Sequence, residues 1–227
     1  KTWQRIVDGN DVQSYTLSIV EDPENENLVF LGTDDGLYLS FNAGQKWQKW
    51  TEGFPTVSTK DLAVHSREHD LVIGTFGRAA WVLDDIRPLR AIASDPAVLS
   101  KDIAIFQPPV AYQSAYQQPT GSRFGGDALY NAENKKRGAM ITYYLKEGYK
   151  AKKKENGKKE EASPNETEEK KKKTKDSLVV TVYNGDQLIR TLKYKTPEKP
   201  GFHRVYWFMN EKGEIGRASC WGVGGGG

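Results

Sequence analysis

Leu28-Val29-Phe30-Leu31-Gly32-Thr33 returns forty-odd residues later as Leu71-Val72-Ile73-Gly74-Thr75, and that echo decides the fold class. Both stretches are short, rich in β-branched and aromatic side chains, and bounded by Asn, Asp or Gly, which reads as strand. Both are apolar on consecutive residues instead of alternating, as a strand is when its two faces are buried. The flanking segments return in the same order. Trp3-Gln4-Arg5-Ile6 reappears as Trp47-Gln48-Lys49-Trp50, Gly9 as Gly53, Leu17-Ser18-Ile19 as Leu62-Ala63-Val64, and Leu37-Tyr38-Leu39 as Trp81-Val82-Leu83. The offsets run from 42 to 45 residues. A period in the low forties with several short strands per unit is the spacing of β-propeller blades.

The first unit is expected to hold strands at 17–20, 28–32, 37–41 and 46–50, and the second at 62–64, 71–75 and 80–83. Two blades do not close a ring, so residues 1–90 read as the end of a truncated propeller. Residues 91–137 follow as an irregular connector, broken by Pro96, Pro108, Pro109 and Pro119, with a helical turn at 94–99 and a turn-rich stretch at Gly121–Asp127. A second β region spans 138–212. Ala139–Leu145 is a strand, the segments 178–183 and 187–194 flank the hairpin signal Asn184-Gly185-Asp186, and Phe202–Met209 is a fourth. That set suggests a small β-sandwich. The overall expectation is an all-β chain.

Composition fits this division. Charged residues are 28% and the apolar fraction only 37%, yet aromatics reach 11%. The diluent is the insertion at 150–176, where 151–176 holds ten Lys against seven acids and accounts for the whole net charge of +3. The mildly basic balance therefore says nothing of a nucleic-acid surface. That insertion has almost no apolar residue and cannot bury enough surface to order itself. A single Cys, Cys220, excludes an internal disulfide framework and a multi-Cys zinc site. No apolar run reaches a membrane-span length of about 18 residues. The segment 213–227, ending on four glycines, stays unassigned.

Ser40-Phe41-Asn42-Ala43-Gly44-Gln45-Lys46-Trp47 is the sharpest motif. Ser40 and Asn42 can bond the turn's own backbone, Gly44 can supply a positive φ, and Trp47 can bury its ring. The stretch resembles the Asp-box, or BNR repeat, of sialidases and their relatives, with Asn42 where Asp is usual. Residues 71–86 look like the closing blade of sortilin-like BNR-repeat proteins, which are often labelled glycosyl hydrolases and occur in bacteria such as Bacteroidetes. Those commonly carry His where Phe76 stands. Gly138–Leu145, Ile189–Leu192 and Gly201–Trp207 resemble the immunoglobulin-like domain that follows such propellers. The resemblance implies that the box is structural, that the protein is exported to periplasm, cell surface or medium, and that residues 138–212 form an incomplete immunoglobulin-like β-sandwich.

Strand alternation sorts the loops. Connections between first and second strands, and between third and fourth, share one end. Those between second and third share the other, where propellers usually bind ligands. That end carries Asp34-Asp35-Gly36 and Phe76-Gly77-Arg78. Arg78 could pair a ligand carboxylate, and Asp34 or Asp35 could act as acid or base. The same residues also read as plain turn chemistry, with Arg78 pairing Asp84. His65-Ser66-Arg67-Glu68-His69 has the form of a zinc-binding H-x-x-E-H string, but it falls on a turn and not on one helix face, so a polar loop is expected. Asn165-Glu166-Thr167 is a glycosylation pattern only. The sialidase set of an Arg cluster, a Tyr paired with Glu and a separate Asp cannot be assembled here. Two functions remain open. One is a non-catalytic binding or scaffold module for a protein, peptide or glycan, with no cofactor. The other is a glycoside hydrolase of sialidase or xyloglucanase type, with its carboxylates in other blades.

Overall fold

The computed structural model describes residues 2–112, 135–147 and 177–210. The turn-rich stretch at 121–127, the Lys/Glu insertion, Asn165, Cys220 and the glycine tail lie outside the described residues. The described part is mainly strand, so the all-β class holds. No described helix is long and apolar enough to cross a membrane.

The first repeat unit is a four-stranded antiparallel sheet, β1 (Thr16–Asp22), β2 (Asn25–Thr33), β3 (Gly36–Ser40) and β4 (Gln48–Trp50), paired in sequence order. The second is a three-stranded sheet in the same order, β5 (Thr59–His65), β6 (Asp70–Thr75) and β7 (Ala80–Leu83). β2 buries both faces, as its unbroken apolar run requires. Leu28 and Phe30 enter one core with Leu37, Leu39, Leu62, Leu71 and Ile73, so that core lies between the two sheets. Val29 and Leu31 enter a second core with Val12, Tyr38 and Trp47 on the opposite face. Burying a side chain the size of Phe30 or Leu71 is worth about 1.5–3 kcal/mol each.

The sheets approach closely at Gly32. A Cβ there would stand 2.8 Å from the Thr59 carbonyl oxygen and 2.3 Å from Ser18 Oγ, so only glycine fits between β1 and the start of β5. β6 differs. Leu71 and Ile73 are buried against the first sheet, whereas Val72 points away from it and is exposed.

Residues 87–94, expected to be the end of the repeat and the start of an irregular connector, form a helix, α1 (Arg87–Ser94). Pro88 opens it, where a missing N–H costs nothing. Ile86, Leu89 and Ala93 line one stripe and join the inter-sheet core, which is why the segment coils instead of extending. A 3₁₀ turn follows at Pro96–Ser100, with the Asp95 carboxylate accepting from Ala97 N at 3.0 Å. The connector also contributes a short strand, β8 (Ile103–Ile105).

The remaining strands are β9 (Ala139–Leu145), β10 (Ser177–Asn184), β11 (Gln187–Lys195) and β12 (Gly201–Trp207). β10 and β11 form the expected hairpin, with Asn184 opposite Gln187 and Gly185 at φ +57° in the turn. β12, β9 and β8 pair in that order as a separate sheet. Met209, expected to close the last strand, lies beyond it at φ +57°. Tyr194 Oη donates to the Tyr206 carbonyl at 2.7 Å, linking β11 to β12. The described residues cluster into two compact units, one from 2–109 with Thr142–Tyr144, the other from 110–112, 135–141, 145–147 and 177–210.

Candidate functional site

Within the first unit the turns separate into two ends. At one end lie the β2–β3 and β6–β7 turns, which carry the four ligand-face candidates. Asp34 N donates to the Tyr15 carbonyl at 3.0 Å, and Phe76 N to the Ser58 carbonyl at 2.8 Å. Both turns are thereby held against the segments that lead into β1 and β5.

Asp34 and Asp35 have different fates. Asp34 is exposed. The Asp35 carboxylate takes Lys49 Nζ at 2.7 Å, the Thr33 hydroxyl at 2.7 Å and the Tyr38 hydroxyl at 3.4 Å. Burial alone would raise its pKa, but the bonds from Lys49 and Thr33 outweigh burial and hold the carboxyl below the ordinary range. Burial, with the Asp35 charge beside it, pushes the Tyr38 phenol up. Lys49 and Tyr38 are direct cross-strand partners on β4 and β3, and Lys49 Nζ stands 5.7 Å from the Tyr38 ring centre. Asp35 is thus occupied in closing its turn. Lys49 was not among the expected site residues, although the repeat places another cation, Arg5, at the same register.

The β6–β7 turn projects outward. Gly77 at φ +84° and Ala79 at φ +56° bend the chain, and Thr75 clamps it by donating from N and Oγ1 to the Ala79 carbonyl. Trp81 Nε1 donates to the Arg78 carbonyl at 3.0 Å, fixing the backbone under that side chain. Trp81 is seated in turn by an edge contact with Phe54, 5.6 Å between centroids. The result is an exposed guanidinium at Arg78 beside Phe76, which is 73% exposed. Lys60 Nζ lies 5.7 Å from the Phe76 ring centre. Arg78 and the Phe76 ring therefore sit on a braced turn, with Lys60 of β5 close to the ring.

The opposite end is locked. Ser40 Oγ donates to Asn42 Oδ1 and accepts from Gly44 N, both at 2.9 Å, and Asn42 Oδ1 also accepts from Lys46 N at 2.9 Å. Gly44 has φ +81°, the left-handed value its turn position demands. Trp47 is buried, and its Nε1 donates to the Ile6 carbonyl at 2.9 Å. The Asp11 carboxylate accepts from Trp47 N at 3.2 Å, a contact the motif does not announce.

His65 and His69 also lie at this end and face different partners. His65 Nδ1 accepts from Glu68 N at 3.1 Å. His69 Nδ1 lies 3.1 Å from Glu24 Oε1 and 2.8 Å from Arg90 Nη1. Arg90 reaches from α1 and grips Asp22 with two bonds of 2.7 Å, while its Nη1 stands 2.8 Å from Glu24 Oε2. Asp22 is fully buried, so this fork is what makes its charge tolerable there. A shallow open depression lined by Glu21, Pro23, Glu24, Asn25, Glu26 and Asn27 belongs to this end too, not to the Phe76–Arg78 turn. Comparisons with protein-family models, with curated proteins and with solved structures gave no match.

Proposed function

We propose that this chain is the C-terminal part of an exported, sortilin-like BNR-repeat β-propeller, followed by an incomplete immunoglobulin-like β-sandwich. Its role on this reading is non-catalytic binding of a protein, peptide or glycan at the turn end that carries Asp34, Phe76 and Arg78. Two stacked sheets of one repeat, each antiparallel in sequence order, support the propeller. The hairpin and the Tyr194 bond to the next strand support the sandwich. The observation that carries the binding role is the contrast at the two turns. Asp35 is committed to Lys49 and Thr33, so Asp34 and Asp35 do not make a working acid–base pair. Arg78 and Phe76 stay open, and suit a ligand with a carboxylate next to an apolar or ring face.

The test is binding of the purified protein to printed glycan and peptide arrays, together with turnover of fluorogenic glycosides. The reading expects saturable binding that falls at least tenfold in Arg78→Ala and Phe76→Ala, with no turnover. Glycoside hydrolysis that disappears on changing Asp34 would replace it with the hydrolase reading.

A further inference from the structure

Asn184-Gly185-Asp186 turns the hairpin of β10 and β11, and the same residues carry a covalent chemistry that the fold does not use. Asn184 pairs with Gln187, so Gly185 and Asp186 are the two residues of the turn. Gly185 takes φ +57°, and Asp186 is not among the residues of positive φ. Glycine at the first central position is what a II′ hairpin turn demands. That demand sets a residue without a Cβ directly after an asparagine.

The surroundings leave the pair open. Residues 184–187 are all exposed. Among the described residues neither the Asn184 carboxamide nor the Gly185 N–H makes a hydrogen bond. No other described asparagine is followed by glycine. Asn10 Nδ2 donates to Asp8 Oδ2 at 3.1 Å, and Asp11 follows it. Asn25 Nδ2 donates to the Arg90 carbonyl at 3.1 Å and to Ser94 Oγ at 2.9 Å, and Glu26 follows it. Asn42 Oδ1 is held by Ser40 and Lys46, and Ala43 follows it. A Cβ on the next residue crowds the backbone nitrogen against the carboxamide carbon, and a bonded carboxamide resists turning towards it. Asn184 has neither obstacle.

We propose that Asn184 is a spontaneous modification site, at which deamidation through a succinimide converts the β10–β11 turn into a mixture of aspartyl and isoaspartyl forms. A base in solvent takes the Gly185 amide proton, and the nitrogen attacks Asn184 Cγ. The new N–Cγ bond forms as the Cγ–Nδ2 bond breaks, and Nδ2 takes a proton from solvent and leaves as ammonia. Water, the co-reactant, then opens the cyclic imide at either carbonyl. Opening at one gives Asp with the backbone unchanged. Opening at the other gives an isoaspartyl link that runs through Cγ and adds a methylene to the main chain. Turn length fixes the pairing of the two strands, so in that form Asn184 and Gln187 no longer meet. Among the described residues this sheet has two strands alone, so no third strand holds the pair together. The change runs one way, and it is independent of the repeat architecture and of any ligand.

The test ages the purified 227-residue protein in heavy-oxygen water under native conditions, at neutral and at mildly alkaline pH. Peptide mass mapping then locates the label, and isoaspartyl methyltransferase counts isoaspartyl carboxyls. Asn156-Gly157 falls on a different peptide and is read separately. Asn184 is expected to take up heavy oxygen at least tenfold faster than Asn10, Asn25 and Asn42, faster still at the higher pH, and to yield both products. Asn184→Gln keeps the amide but sets its carbon one methylene too far for the ring, and uptake at this position should vanish. Hydrogen exchange at the Gln187 amide should quicken at least tenfold in the isoaspartyl fraction and keep the parent's rate in Asn184→Asp. Three results overturn the proposal: uptake at Asn184 no faster than at Asn42, conversion to Asp with no isoaspartyl form, or Gln187 exchange unchanged in the isoaspartyl fraction.

Discussion

Replacing Gly32 by Ala adds one methyl at the point where the two repeat units touch. Gly32 does not need a positive φ, so the backbone itself would accept alanine. Strand propensity alone favours the change by about 0.5–1 kcal/mol, because glycine loses more freedom on folding. Packing opposes it. The new Cβ would lie 2.8 Å from both the carbonyl oxygen and Cγ2 of Thr59, and 2.3 Å from Ser18 Oγ, where real Cβ contacts essentially never fall below 3.0 Å. Ser18 Oγ is a rotor with no hydrogen-bond partner among the described residues and can give way. The Thr59 oxygen belongs to buried strand backbone and cannot do so without parting the sheets. Overpacking of this kind costs about 1–3 kcal/mol, and subtracting the propensity gain leaves a net loss centred near about 1 kcal/mol and at most about 2.5 kcal/mol. With a urea dependence of about 2 kcal/mol per molar, the midpoint should fall by roughly 0.6 M and at most about 1.2 M. Urea titration followed by tryptophan fluorescence reads this directly, since Trp47, Trp50 and Trp81 all lie in this unit. Ser18→Ala in the Gly32→Ala background should recover only part of the loss, because the Thr59 contact remains. A Gly32→Ala protein as stable as the parent, or more so, would refute the stacking geometry.

Arg90→Met should be the most damaging of the remaining changes, lowering stability by about 3–5 kcal/mol, because it strands the buried Asp22 carboxylate. Arg90→Lys should recover only part in the same urea titration, since an ammonium cannot fork. Asn42→Ala removes the acceptor for both Ser40 Oγ and Lys46 N and should cost about 1–2 kcal/mol, whereas Asn42→Asp should be neutral or stabilising in a thermal melt. Asp35 sets a pH dependence. Its folded carboxyl lies below the ordinary range, so its contribution is complete above about pH 4–5 and is lost as pH falls through the lowered value. The stability gap between the parent and Asp35→Asn, measured by urea titration at a series of pH values, should therefore be widest near neutrality and close in acid. A gap that widened on acidification would contradict that sign.

The first unit was legible because its signals are local and repeated. Consecutive apolar residues at 28–31 report burial on both faces, and Ser40, Asn42 and Gly44 carry the turn geometry in their own side chains. α1 was not legible in the same way. Its eight residues follow a strand pattern closely, and its stripe of Ile86, Leu89 and Ala93 makes sense only against a core assembled from residues far upstream. The candidate end was half legible. Asp34, Asp35, Phe76 and Arg78 all fall on the expected turns, but sequence cannot tell a free carboxylate from an occupied one. The occupant of Asp35, Lys49, comes from another strand and is set by register. Arg90 with Asp22, 68 residues apart, is a pairing no motif records.

Which face of β6 meets the first sheet decides the rest, because a one-residue slip would exchange the buried and exposed side chains of the strand. Methyl-labelled NMR of the 227-residue protein measures this. Leu71 and Ile73 methyls should show NOEs to the Leu28, Leu37 and Leu39 methyls, and Val72 and Val82 none. NOEs from Val72 or Val82 to those leucines, in place of Leu71 and Ile73, would contradict it.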